Sequence, residues 1–314
     1  MSSPPRPFRF GVQANGTGNR EEWVELARRV ESNGYSTLTM PDHFGDQLAP
    51  VPALQCAADA TSTLRLGALV YDNDYKHPVV LAKELATMDV LSDGRVEIGL
   101  GAGWMVSDYE QSGIPYDPPG VRVSRFIEGL TVIKGALADG SFSFAGEHYT
   151  VTDYDGTPKP VQSPPPVLIG GGGPRVLTFA AREADIVGIN ATLTSGAVDA
   201  STFDSMTAAA VDAKVDVVRR AATEAGRIDD IEMNLRAFMV FVTDDVEQAL
   251  GTLAEFTGAP EEVIADSPFT LVGPVDRIIE QLQHRRERWG FSYVIVGQND
   301  VEPFAPVVAA LAGT

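Results

Sequence analysis

Residues 166–183 read PVLIGGGGPRVLTFAARE. Val167, Leu168 and Ile169 form a short apolar run that reads as a buried strand. Four glycines follow at 170–173, and Pro174 then opens a helix. Proline suits the first turn of a helix, where its missing N–H has no intrahelical partner to lose. Directly beyond the helix, DIVGI at 185–189 reads as the next strand. Strand, helix and strand in succession define a parallel crossover. The glycines Gly170, Gly171, Gly172 and Gly173 leave bare backbone N–H groups at a helix N-terminus, where the dipole favours an anion. Arg175 in the first turn adds a positive charge. The plainer reading is a tight turn that needs glycine for geometry only; four in a row exceed that need, so the stretch is taken as a phosphate cradle.

The same alternation extends in both directions. Apolar runs at 8–13, 37–40, 65–70 and 95–100 precede the central stretch, and runs at 231–242 and 293–296 follow it. Stripes at i, i+3, i+4 and i+7 lie between them, as in Trp23, Leu26, Ala27 and Val30. Asn19 with Glu22 resembles a capping box at the first helix. Eight strands alternating with helices predict an α/β fold, a closed (β/α)8 TIM barrel spanning residues 1–314. An open doubly wound sheet is the alternative. The rhythm breaks at about 140–166, rich in glycine and proline, which reads as an insertion between strands four and five made of a hairpin and an extended connector. Residues 190–205, rich in Thr, Ser, Gly and Ala, read as a mobile loop.

The formal net charge of −19 argues against nucleic-acid and anionic-membrane partners. No apolar run approaches the roughly 18 residues of a membrane span, and the polar, proline-rich first ten residues do not read as a secretory signal. One cysteine, Cys56, excludes an internal disulfide. A cytoplasmic location is the resulting expectation. Asp72 and Asp74 lack any spacing that supports a metal. Gly99-x-Gly101-x-Gly103 resembles a dinucleotide turn, but position 104 is tryptophan.

In a barrel, chemistry sits at the C-terminal ends of the strands. That places Asp42-His43, Val70, Gly101, Ala102, Gly103, Trp104, the glycine cradle and Asn190 around one mouth. His43 is the leading catalytic candidate, since a histidine titrates near neutral pH. Asp42 reads as a ligand contact or as the partner that orients His43. Trp104 and Asn190 are assigned to the substrate pocket. His77, before Pro78, reads as a cap.

At this point the chain resembles the bacterial-luciferase-like superfamily. Residues 66–104 carry the elements L-G-x-x-V, H-P, A-x-x-x-A-T-x-D, S-x-G-R and G-x-G-x-G-W, and MPDHF, IGGGGPR and LVGPVDRIIEQL fit the same family. The chain is most similar to the branch that uses the deazaflavin coenzyme F420. The resemblance implies a TIM barrel with a flavin-like ring at its C-terminal mouth and the phosphate tail over Gly170–Gly173 and Arg175. It also implies a non-proline cis peptide at Leu69–Val70 backing the ring, beside Gly101, Ala102 and Gly103. The matching histidine lies near the ring, in a role of proton transfer or ring stabilisation. A homodimer is implied by the same resemblance. One deazaflavin sugar dehydrogenase group carries a glutamate where this chain has Trp104 and a tryptophan near Gln47, so sugar-phosphate oxidation is not expected. The implied function is hydride transfer between F420 and a small organic substrate. An FMN-dependent monooxygenase is the alternative, and a non-catalytic flavin-binding protein is the second. The 140–166 and 190–205 segments are expected to close the mouth.

Overall fold

A computed structural model describes residues 5–16 and 18–314. Eight parallel strands close on themselves: β1 (Arg9–Gln13), β2 (Thr37–Met40), β3 (Arg65–Ala68), β4 (Val96–Gly101), β5 (Val167–Gly171), β6 (Ile186–Ile189), β7 (Glu232–Arg236) and β8 (Phe291–Gly297). Each pairs with the next, and β8 returns to β1 with Gln13 opposite Gly297. This is the TIM barrel that the alternation predicted. Helices form the outer layer, and the apolar residues between them and the strands make one large core that includes Phe10, Leu38, Ile98, Val187 and Phe304. Asn19 caps the first helix as read: its side-chain oxygen accepts from the N–H groups of Glu21 and Glu22, and its amide donates to Glu22. Among the described residues no helix is long and apolar enough to cross a membrane.

The barrel interior has a charged floor. At its N-terminal end Arg9 bridges Glu97 (2.7 Å) and Glu232 (2.6 Å), Arg65 joins Glu97 (2.8 Å), and the Arg9 guanidinium lies 3.5 Å from the centre of the Tyr293 ring. Buried charges persist where they are paired in this way. Against this layer packs an apolar cluster of Leu168, Ile186, Tyr293 and Ile295, with Leu69 and Val70 packed on them.

Three sequence expectations are corrected. The run at 231–242 is two strands, because the chain changes partner at Phe238. β7 stays in the barrel, whereas Met239–Val242 pairs with Thr270–Gly273 outside it, and the N–H groups of Phe238 and Met239 both reach the Phe269 carbonyl. The insertion contains the expected hairpin, Phe142–Ala145 against Thr150–Tyr154. It lies along helix Pro119–Leu137, however, rather than across the mouth: Glu128 accepts the N–H groups of Glu147, His148 and Tyr149, and a Cβ on Gly135 would meet the Phe142 ring. Finally, the 190–205 loop has structure of its own. Asp199 and Thr202 form a capping box on the short helix Ala200–Asp204.

Candidate active site

The chain breaks its strand geometry after β3. The peptide between Leu69 and Val70 is cis, as the resemblance implied. Tyr71–Asp72 then resumes pairing beside Leu100 and Gly101. Gln13 donates to the Leu69 carbonyl at 2.8 Å, fixing the bulge from β1, two strands away. Val70 fills space that side chains at Gly101 and Gly170 would take: a Cβ on Gly101 would lie 2.5 Å from one Val70 methyl. Leu69, Val70, Gly101 and Gly170 are thus one packed unit at the mouth.

His43 follows β2 and is about one quarter exposed. Its Nδ1 lies 2.6 Å from Oδ2 of Asp108, a buried carboxylate on the short helix Val106–Ser112. The Tyr75 hydroxyl donates to the same oxygen at 3.0 Å, and the Phe44 N–H donates to Oδ1 at 3.3 Å. With both oxygens held as acceptors, the carboxylate suits an Nδ1–H donor and leaves Nε2 as the free ring nitrogen. Nε2 has no hydrogen-bond partner among the described residues. The Trp104 ring stands edge-on to the imidazole, 5.7 Å between centroids. Asp42, read from the sequence as a possible partner of His43, is engaged elsewhere. It accepts the Asp72 N–H at 3.2 Å, and burial holds its carboxyl above the usual range despite that bond. Gln47 braces this turn by donating to the Pro41 carbonyl at 2.7 Å.

Behind the dyad lies a second network. Asp72 accepts from the Asp74 N–H (2.9 Å) and the Tyr109 hydroxyl (3.0 Å), and Arg125 pairs with Asp74 at 3.2 Å. Burial pushes Asp72 up to about 7, and the neighbouring Asp74 carboxylate adds to the rise. Gly103 has φ of 71°, and a Cβ there would sit 1.9 Å from the Tyr109 hydroxyl. This glycine is needed for close packing against the network, whatever it also offers a ligand. Ala102 beside it is packed on the core.

The glycine cradle divides by position. A Cβ on Gly172 would lie 2.3 Å from the Ala191 carbonyl and one on Gly171 would lie 2.6 Å from Val176, so geometry alone requires glycine at both. Gly173 meets nothing within 4 Å and caps the ten-residue helix Pro174–Glu183 with no side-chain bond. The N–H groups of Arg175 and Val176 in the first turn have no hydrogen-bond partner among the described residues. Arg175 turns away to helix Pro119–Leu137, donating to the Gly120 carbonyl and Ser124 hydroxyl at 2.9 Å each. Asn190 closes its own turn by accepting the Ala191 N–H, and its carbonyl accepts the Lys214 ammonium at 2.7 Å. Lys214 also holds Ser205, so it ties together the two ends of the 190–205 loop; burial pushes it down to about 8. At its middle the loop reaches the histidine side of the mouth, where Gly196 accepts the Val106 N–H at 3.1 Å. His77 caps its helix, accepting the Val79 N–H.

Residues 6–293 match the family described as luciferase-like monooxygenase. The chain belongs to that family. It is 29% identical over 238 residues to an FMNH2-dependent dimethylsulfone monooxygenase of Pseudomonas putida, a match covering 74% of this chain and 61% of that protein. It is 30% identical over 170 residues to an F420-dependent glucose-6-phosphate dehydrogenase of Amycolatopsis mediterranei, covering 52% of this chain and 51% of that protein. The fold is that of the F420-dependent tetrahydromethanopterin reductase from Methanopyrus kandleri, with a TM-score of 0.77 at 20% identity over 98% of this chain and 100% of the other. Relatives of both cofactor types therefore stand beside this luciferase-like chain.

Sequence reasoning missed Asp108, Tyr75, Tyr109 and Lys214. Asp108 lies 65 residues from His43. Its only local signal was an acid in the first turn of a short helix after a strand end.

Proposed function

We propose that the protein is an oxidoreductase that moves a hydride between coenzyme F420 and a small organic substrate at the barrel mouth. The carrying observation is the His43–Asp108 pair at the same mouth as a helix N-terminus that no side chain caps. Gly173 and the first-turn N–H groups suit a phosphate, and the glycine-walled mouth beside Leu69–Val70 suits a flat ring. When bound, F420 supplies two-electron hydride chemistry at its ring carbon. The chain supplies the proton. His43 holds or releases it at Nε2, and Asp108 keeps Nδ1 protonated and the ring aligned. The 190–205 loop, joined to Val106 through Gly196, limits water at that position.

FMN is the second reading, supported by the identity to an FMNH2-dependent relative. Titration of apoprotein with each cofactor separates the two. The expected result is F420 binding at least about tenfold tighter than FMN, through contacts worth about 1.4 kcal/mol. Tight FMN binding without F420 binding sinks the first reading.

Gly173→Asp tests the cradle without disturbing the fold. Aspartate is a better helix cap than glycine by a few tenths of a kcal/mol, and its carboxylate takes the N–H groups that a phosphate would use. The variant is expected to melt at or slightly above the wild-type temperature while losing about tenfold or more in cofactor affinity. Affinity within twofold of wild type removes the phosphate from this helix. Gly172→Ala is a poor substitute, because the Ala191 carbonyl would be displaced.

A further inference from the structure

Arg236 ends β7 opposite Ile295, a member of the apolar cluster inside the barrel. Strand alternation turns Arg236 inward, whereas Leu235 and Ala237 join the outer core. It stands at the mouth beside Gln13 and Gly297. Its Nε donates to Gln13 Oε1 at 3.0 Å and its Nη1 to the Ala237 carbonyl. Gln13 passes on to the Leu69 carbonyl, so the guanidinium is positioned through the same side chain that holds the bulge. The remaining nitrogen, Nη2, has no hydrogen-bond partner among the described residues. It lies over Gly297, where a Cβ would come within 3.2 Å of it.

Among the described residues no carboxylate is paired with this cation, and Asp300 acts on it only at longer range. Arg9, the inward arginine at the floor, has two carboxylates against it. Among the described residues no ion pair reaches Arg236. Asp300, whose charge it feels, accepts the Gly297 N–H at 2.9 Å instead. Burial pushes the guanidinium down to about 10, with Asp300 opposing. Phe238 lies 5.1 Å from the guanidinium carbon and is 46% exposed, offering an apolar surface beside the charge. A partly desolvated, unpaired guanidinium is costly unless something negative completes it. In a chain of net charge −19, a bare cation at the mouth selects for an anion.

We propose that Arg236 binds the carboxylate of an organic-acid substrate whose apolar part lies against Phe238. The planar fork offers two parallel N–H donors to a carboxylate, and Gln13 fixes its orientation. This rests on the reading of the barrel mouth as the substrate site, and it narrows the substrate class to small organic acids.

The test is calorimetric titration of the protein, loaded with whichever of F420 or FMN it takes, with acetate, butyrate and benzoate and with the matching amides. At least one acid is expected to bind about tenfold or more tightly than its amide, as for a hydrogen-bonded charge pair. Arg236→Gln is expected to abolish that preference with cofactor affinity little changed, and Arg236→Lys to keep part of it. Equal binding of every acid and its amide to the wild type overturns the proposal, and so does a preference that survives in Arg236→Gln. Loss of cofactor affinity in Arg236→Gln with the preference intact overturns it too, and gives the guanidinium to the cofactor. If Arg236→Gln does not fold, the wild-type comparison and Arg236→Lys decide. The cofactor titration judges the F420 reading separately, since the acid-to-amide ratio is read on either holoprotein.

Discussion

His43→Ala is expected to lower kcat by about 10²–10⁴-fold, the usual contribution of a positioned acid–base group. Cofactor affinity is expected to change little, because the imidazole donates nothing to the phosphate cradle. Asp108→Asn separates proton transfer from mere packing. The asparagine fills the same space between Tyr75, Phe44 and His43. It cannot hold the Nδ1 proton as a carboxylate does, so the tautomer with Nε2 free to accept is lost. A fall in kcat of about 10–10²-fold is expected, with KM within a few-fold and the acid limb of the pH–rate profile displaced. A purely structural Asp108 would move the melting temperature and leave the profile in place. If His43→Ala retains near wild-type kcat, His43 is a packing residue, and the hydride reading loses its proton carrier. Asp42→Asn supplies the contrast. Asp42 is bonded to the Asp72 N–H and meets His43 only through its charge, so its replacement should move the profile far less than Asp108→Asn does.

The second large effect is a pH dependence of stability centred on Asp72. Its folded pKa of about 7 lies above the unfolded carboxylate value, chiefly through burial and then through Asp74. The folded state therefore binds this proton more tightly than the unfolded state. Its stability contribution is whole below about pH 4 and is lost as pH rises through 7, at about 1.4 kcal/mol per unit across that window. The total is about 4 kcal/mol at most. Asp42 and Asp74, both raised by burial, add in the same direction. Asp72→Asn removes the ionisation while keeping an acceptor for Tyr109. It is expected to match the wild type near pH 4.5 and to exceed it by about 2–4 kcal/mol at pH 8, read from urea unfolding at both values. Parallel profiles for the two proteins would mean that Asp72 titrates as an ordinary carboxylate.

The same residues show how far the chain can be read before it folds. β2 was legible to the residue, and the cradle strand and its helix were read from an apolar triplet, a glycine run and a proline. These signals are local. A period of two or of 3.6 and the missing side chain of glycine act within a few residues, so the sequence carries them openly. The alternation of such units was enough to require a parallel sheet. The 231–242 run failed for a related reason. Its pattern is continuous, and only the competing partner at Phe269, brought in by a distant segment, makes the chain leave the barrel at Phe238.

Sequence by itself determined the barrel, the mouth on which its strand ends converge, the cis-bulge unit at Leu69–Val70 by family likeness, and His43 as the titratable group there. Tertiary structure alone decided which acid serves His43, which glycines of the cradle are bound by packing and which is free, and that Arg236 stands at the mouth without an ion pair. Those depend on pairs such as His43 with Asp108, and Arg236 with Gln13, that lie 65 and 223 residues apart. Closure of the sheet sets such distances, and a carboxylate at 2.6 Å or an absent one at 4 Å changes the chemistry without leaving any mark on local sequence.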